Sequence, residues 1–330
     1  MRPGKISESV LKRSVLKQIK TKREEIRAGA GVGTDCSFFV CNKEEGCLLA
    51  TGAVVIEDRE SLTMGIVAIV NNVAAAGGEP VGILSSLVLP DKILESELQK
   101  YTAEIERSCK NLDLQVAGGN TCITGAVNKP ILNLTVFGKK EINSHKGYNT
   151  YQGEEDIILT KWIGLAGTAI LSEKREQILQ ERLPMHLIEE AKRMKEKISV
   201  LPESRIGTRL GAQGMHDVSR GGIFAALWEL VEDKNVGLEV DLRKLTVRQE
   251  TIEICEILEI NPYELYGAGA LLMVTKNGGS LLRELEKEGI PAVIIGKITK
   301  DCSKVIYNGE EKRYLERPGK EALEVLRQKG

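Results

Sequence analysis

The stretch "MHDVSRGGIFAALWEL", Met215 to Leu230, changes character half-way along. Its first half is polar and closes on two glycines. Its second half repeats apolar residues at Ile223, Leu227 and Leu230, the spacing of one helix face. The pattern predicts a short strand over 214–216, a loop, and a helix over 222–231. Asp217 or Ser219 would cap that helix. Alternatively, Arg220 and the amides of Gly221 and Gly222 would clamp a phosphate or carboxylate, with His216, Asp217 and Ser219 beside them. On this stretch alone both readings stand.

Outward from that point the chain alternates strands and helices. "DIILTKWIGLAGTAIL" supplies a strand and a helix, residues 183–198 a longer helix, and residues 237–240 a strand. "GALLMVT", "GGSLLRELEKEG" and "PAVIIGKIT" then read as strand, helix and strand, before a final helix. Such alternation suggests an α/β or α+β domain with helices on one face of a sheet. Towards the N-terminus, a helix is expected over 8–20, then strands over 36–41 and 47–55. A helix over 62–76 stops at Gly77-Gly78, a left-handed cap. A strand over 81–89, a helix over 95–111 and strands over 114–117 and 131–137 complete this half. Residues 139–156 are polar and lack periodicity, as a domain junction does. The expected domains are 1–152 and 153–330.

With 330 residues, two domains of ordinary size are expected. The 46 Lys and Arg nearly cancel the 47 Asp and Glu, so no global field points to nucleic acid or an anionic membrane. The start "MRPGKISESV" has no apolar stretch behind it, and Leu62 to Ala76 is broken by polar residues. Neither a signal peptide nor a membrane span is expected, and the reading is a cytoplasmic protein. The 7 cysteines lack a CxxC pair, which fits reduced thiols better than zinc ligands. The basic run "LKRSVLKQIKTKREEIR" reads as the solvated face of an amphipathic helix.

Three further stretches carry candidate chemistry. "AGAGVGTDCS", Ala28 to Ser37, is a glycine-rich loop bearing Asp35, or a plain turn. "VAGGNTCITGAV", Val116 to Val127, ends a strand in Gly118 and Gly119 followed by Asn120 and Thr121. Amides freed there would cradle an anion, unless the segment is a hairpin turn. "VNNVAAAGGEP", Val70 to Pro80, places the amides Asn71 and Asn72 inside an apolar helix, where each polar atom needs a partner.

In their order along the chain, "PGKISESVL", "GVGTDCSF", "NNVAAAGGEP", "VAGGNTCITGAVNKPI", "IILTKWIGLAGTAIL" and "MHDVSRGGIFAALWEL" together resemble the aminoimidazole ribonucleotide (AIR) synthase, PurM-like, superfamily. Within it they resemble the AIR synthase-related group near the hydrogenase maturation protein HypE. The resemblance implies a two-domain α+β fold. Its N-terminal domain would form a β-barrel across a homodimer, and its C-terminal domain would be ferredoxin-like. It also implies ATP in a cleft between the domains near the dimer interface, with magnesium held against the phosphates by aspartates.

Carried over residue by residue, the resemblance assigns Lys5, Asp35, Asn71, Asn72, Gly118, Gly119, Asn120 and Thr121 to nucleotide or phosphate binding. Asp35, Asn72 and Asn120 take the metal-facing positions. The substrate or phosphate loop would be His216, Asp217, Ser219, Arg220, Gly221 and Gly222, and no catalytic residue is assigned. The family's usual Asn-Asp appears as Asn71-Asn72, its Thr-Asp as Thr51-Gly52, and the aspartate of HypE-like proteins as Asn120. An amide oxygen coordinates magnesium but brings no net charge. The expectation is therefore a nucleotide site with reduced or lost ATPase activity. HypE-type chemistry needs a C-terminal cysteine, whereas this sequence ends "VLRQKG", so cyanide-group synthesis is not expected. The leading reading is an ATP-dependent step on an unidentified substrate. Its alternative is a catalytically silent relative that binds nucleotide or a partner protein.

Overall fold

The computed structural model describes residues 8–18, 24, 26–28, 31–32, 34, 36–141, 150–232, 234–319 and 323. They fall into two compact units. Among the described residues, one unit holds 24, 26–28, 34 and 36–141, and the other holds 8–18, 31–32 and those from 150 onward. Residues 8–18 thus group with the C-terminal half. The single helix expected over 8–20 is instead a turn, α1 (Glu8–Val10), followed by a π turn (Leu11–Val15) and a 3-10 turn (Leu16–Gln18). Ser14 and β-branched Val10 and Val15 lend this stretch little helical propensity. Ion pairs hold it: Glu8 to Lys12 at 2.7 Å, Glu8 to Arg317 at 3.3 Å and Lys12 to Glu232 at 3.5 Å.

The N-terminal unit is built on a 6-stranded sheet in the order β1-β2-β3-β6-β4-β5. Its strands and helices are β1 (Ile26–Ala28), β2 (Ser37–Val40), β3 (Glu45–Val55), α2 (Arg59–Ala75), β4 (Glu79–Leu89), α3 (Glu95–Asn111), β5 (Gln115–Ile123) and β6 (Ile131–Glu141). β4 and β5 pair in parallel and the other neighbours antiparallel. Alternate residues of β3, including Leu48, Ala50 and Val54, are buried towards α2, whose Leu62, Ile66, Val70 and Val73 are buried in turn. Asp58 starts α2 in a capping box, its carboxylate accepting from the Ser61 amide at 2.6 Å. Gly77, at φ 74°, ends it as expected. Phe39, Val55, Val81, Leu84 and Ile123 remain exposed.

Two strands outrun their expected ends. β5 continues through Gly118, Gly119, Asn120 and Thr121 instead of turning after Ala117, pairing Gly119 with Ser85 and Asn120 with Ser86. A Cβ at Gly119 would lie 1.8 Å from the Ser85 carbonyl oxygen, so glycine serves close strand approach here rather than a turn. β6 runs on to Glu141, into the segment read as the domain junction. Residues 142–149 lie outside the described ones.

The C-terminal unit carries a 7-stranded sheet in the order β13-β12-β9-β11-β7-β10-β8. The chain passes through β7 (Asp156–Thr160), α4 (Leu165–Lys174), α5 (Glu176–Gln180), α6 (Met185–Arg193), a 3-10 turn (Met194–Lys197), α7 (Leu201–Arg209), β8 (Gly214–Asp217), α8 (Gly222–Val231) and β9 (Gly237–Asp241). It continues through α9 (Gln249–Ile257), β10 (Leu271–Thr275), α10 (Gly278–Lys287), β11 (Ala292–Thr299), β12 (Lys304–Asn308) and β13 (Glu311–Tyr314). β12 joins β9 in parallel, and the other pairs are antiparallel. Ile157, Leu159, Leu272 and Val274 meet Ile223, Leu227 and Leu230 of α8 in the main core. The expected helix over 183–198 is α6 with its 3-10 turn. Helices α7 and α9 and the β12–β13 hairpin are additions to the sequence reading. No helix among the described residues is long and apolar enough to cross a membrane.

Candidate functional site

In the N-terminal unit the described candidate residues lie in two places, at the end of α2 and along β5. Asn71 is fully buried, as an amide inside an apolar helix is tolerated only when partnered, and Asn72 beside it is half-buried. The Asn72 carbonyl accepts from the Ala76 amide at 3.0 Å, holding the last turn closed. At position 52 the Ile69 side chain of α2 packs over the glycine, and a Cβ there would lie 2.8 Å from Ile69 Cδ1, so a larger residue would require that side chain to move. Gly118, Gly119, Asn120 and Thr121 are exposed on the edge strand β5. An edge strand turns part of its backbone N–H groups away from the sheet, so donors remain there without the expected turn. Lys5 and Asp35 lie outside the described residues.

Lys140, on β6, was missed in the sequence. It is 5% exposed, and its ammonium donates to the Ala76 carbonyl at 2.5 Å, at the C-terminal end of α2. Burial brings its pKa down to about 8, partly offset by Cys36. A cation is favoured at a helix C-terminus, where carbonyls collect negative potential. The alternation of buried Val136, Gly138 and Lys140 along β6 was the available signal, hidden because "KKE" reads as a polar junction.

In the C-terminal unit, the register of β8 makes Asp217 the partner of Leu271 and His216 the partner of Leu272. Both are buried, and His216 Nε2 lies 3.2 Å from Glu229 Oε2 on α8. The expected side-chain cap is overturned. Gly221, at φ 83°, is the N-cap of α8, with no side-chain cap bond. Asp217 is spent in the strand, and Ser219 closes the turn with its carbonyl, which accepts from the Gly222 amide at 3.2 Å. Gly222, at φ 67°, is irreplaceable on two counts. Its backbone is left-handed, and a Cβ would lie 2.3 Å from the Tyr263 carbonyl oxygen. Arg220 is exposed at the loop's tip.

This loop rests on a second glycine-rich segment, "YGAGA", Tyr266 to Ala270, which the sequence reading passed over. Gly267 N donates to Ser219 O at 3.2 Å and Val218 N to Ala270 O at 2.9 Å. A Cβ at Gly267 would meet Val218 Cγ1 at 2.5 Å, so the two segments touch only because that position is glycine.

Residues 34–139 match the family model described as AIR synthase related protein, N-terminal domain, and residues 154–308 match its C-terminal domain. The chain belongs to the AIR synthase-related family. A hydrogenase expression/formation protein of Methanocaldococcus jannaschii is 26% identical over 247 residues, covering 72% of this chain and 70% of that protein. Among solved structures, a HypE–HypF complex aligns with a TM-score of 0.75 and 17% identity, over 94% of this chain and 100% of that one. A HypE structure in complex with ATP aligns with a TM-score of 0.65 and 15% identity, over 97% and 96%. These likenesses establish a PurM-like, two-domain α+β fold.

Among the described residues of this AIR synthase-related chain, no group of three or more His, Cys, Asp or Glu could hold a metal. Of the positions that the resemblance assigns to the metal, Asn72 and Asn120 carry neutral amides, and Asp35 lies outside the described residues.

Proposed function

We propose that this AIR synthase-related protein binds ATP, with magnesium carried in on the nucleotide, and uses it in an ATP-dependent step on a substrate not yet identified. The observation that carries this reading is the alignment of nearly the whole chain with a HypE structure in complex with ATP. Asn71, Asn72 and the edge strand Gly118–Thr121 would face the phosphates, together with Lys5 and Asp35. The loop His216–Gly222 would face substrate or phosphate. Neutral amides in place of carboxylates leave less charge to position a transferring phosphoryl group, so turnover is expected to be slow.

The exposed Val55, Val81, Leu84 and Ile123 support a second copy of the chain as the cover of the N-terminal sheet, closing a barrel across a homodimer. The likeness to HypE in its complex with HypF supports a partner protein as well.

The test is thermal unfolding with ATP at concentrations well above any plausible dissociation constant, with and without magnesium. Binding to the folded state raises the midpoint by mass action. A magnesium-dependent rise is expected. A rise of equal size without magnesium would refute the metal's role, and an unchanged midpoint would refute nucleotide binding.

A further inference from the structure

We propose that the buried ion pair Lys161–Glu203 is a positioning device for the candidate loop Val218–Gly222, acting through Thr160 and the start of β10. This rests on the reading that the loop faces substrate or phosphate.

Lys161 follows β7 with a left-handed backbone, φ 53°, and is 8% exposed. Its ammonium lies 2.7 Å from Glu203 Oε1 and donates to the carbonyls of Lys197 at 2.9 Å and Ser199 at 2.7 Å. Glu203, on α7, is 1% exposed. Burial drives the Lys161 pKa down, against the opposing pull of Glu203. A pair this dry gains little over an apolar pair of similar size, because desolvation consumes its attraction. What it adds is direction. The Glu203 carboxylate and the carbonyls of Lys197 and Ser199 converge on the ammonium and fix its place, which methylene groups would not do.

That direction is passed on. Glu203 Oε1 also accepts from Thr160 Oγ1 at 3.4 Å, and Thr160 Oγ1 accepts from the Leu271 amide at 3.0 Å. Leu271 begins β10 and follows Ala270, whose carbonyl takes the Val218 amide. Gly267, bonded to the Ser219 carbonyl, also provides the carbonyl that the Ala270 amide meets at 3.2 Å. On its other side, the Lys161 carbonyl accepts from Thr246 Oγ1 at 2.6 Å, and the Thr246 carbonyl accepts from the Ile163 amide at 3.0 Å. The ion pair therefore fixes the end of β7, and β7 fixes the ledge on which the loop hangs. Lys161 and Glu203 are positioning residues: neither touches the loop itself.

The test is amide hydrogen exchange at Val218 and Gly267, with Mg-ATP affinity measured in parallel. The double variant Lys161→Met/Glu203→Met removes both charges together with the acceptor of Thr160 Oγ1, leaving no unpaired ion. Roughly tenfold faster exchange at both amides is expected, with a roughly tenfold weaker Kd for Mg-ATP and little change in Tm. Thr160→Val keeps the ion pair and cuts only the relay, and the same faster exchange is expected. It decides the matter if the double variant does not fold. Unchanged exchange in Thr160→Val, or in a folded double variant, would overturn the proposal. Arg220→Ala separates the two ideas. If it leaves Mg-ATP affinity unchanged while exchange still accelerates in the relay variants, the functional reading of the loop fails and the positioning role survives.

Discussion

A lysine that sits 5% exposed against the carbonyl end of α2 is a stability term as well as a structural contact. The Lys140 pKa falls from 10.5 to about 8 because burial disfavours its charged form. Between those values the unfolded chain binds the proton more tightly than the folded one, so stability rises with pH across that window. Below about pH 8 the native state carries the full cost of the buried charge, ~3 kcal/mol from a shift of this size. Lys140→Met is expected to flatten the rise in urea-unfolding free energy between pH 8 and 10.5 relative to wild type. An identical pH slope in the two proteins would show that Lys140 is not the group responsible. Glu104 illustrates the opposite outcome. Burial pushes its pKa up, but hydrogen bonds from Arg107, Thr63 and Arg59 outweigh that and hold it low. Glu104→Gln should lose stability near neutral pH and converge on wild type once the pH falls below the carboxylate range. Chemical denaturation at both ends of that range gives the comparison.

Helix ends decide how the candidate segments are presented. α2 is anchored at its start by the Asp58–Ser61 box, and its far end carries Asn71 and Asn72. Asp58→Ala is expected to cost about 1 kcal/mol, read from the urea midpoint at constant m-value. α8 has no side-chain cap and depends on two successive glycines with positive φ. Gly222→Ala should destabilise by more than about 2 kcal/mol, combining left-handed strain with a backbone clash. A Tm within a degree of wild type would mean the loop is free to shift. Helices were legible wherever apolar spacing met glycines at one end, before the start at 222–231 and after the stop at Gly77. α7 and α9 escaped because each is short and mixes charged residues into its buried side, Glu203 and Glu250 among them. Local periodicity cannot anticipate a carboxylate that is buried because a distant lysine or a neighbouring arginine meets it.

At the scale of the molecule, the exposed apolar residues of the N-terminal sheet predict association. Leu84→Arg is expected to shift the protein to a monomer in light scattering after gel filtration, with far-UV circular dichroism unchanged. A wild-type protein already monomeric at tens of micromolar would refute the proposed dimer. The quoted motifs, in their order along the chain, carried the resemblance to the family and with it the two-domain α+β class, while the local strand and helix signals by themselves left α/β and α+β both open. That resemblance also led to the expectation that Asn72, Gly52 and Asn120 stand where the family carries acidic residues. Only the tertiary structure decided what packs at position 52, since the Ile69 side chain reaches that space from α2, the helix that follows β3. It alone also placed Gly118–Thr121 in an edge strand, brought Lys140 to the end of α2 and joined Lys161 to Glu203. In each case the physical reason is the same. Burial and pairing energies depend on which residues meet across the fold, and that information is absent from any local window of the chain.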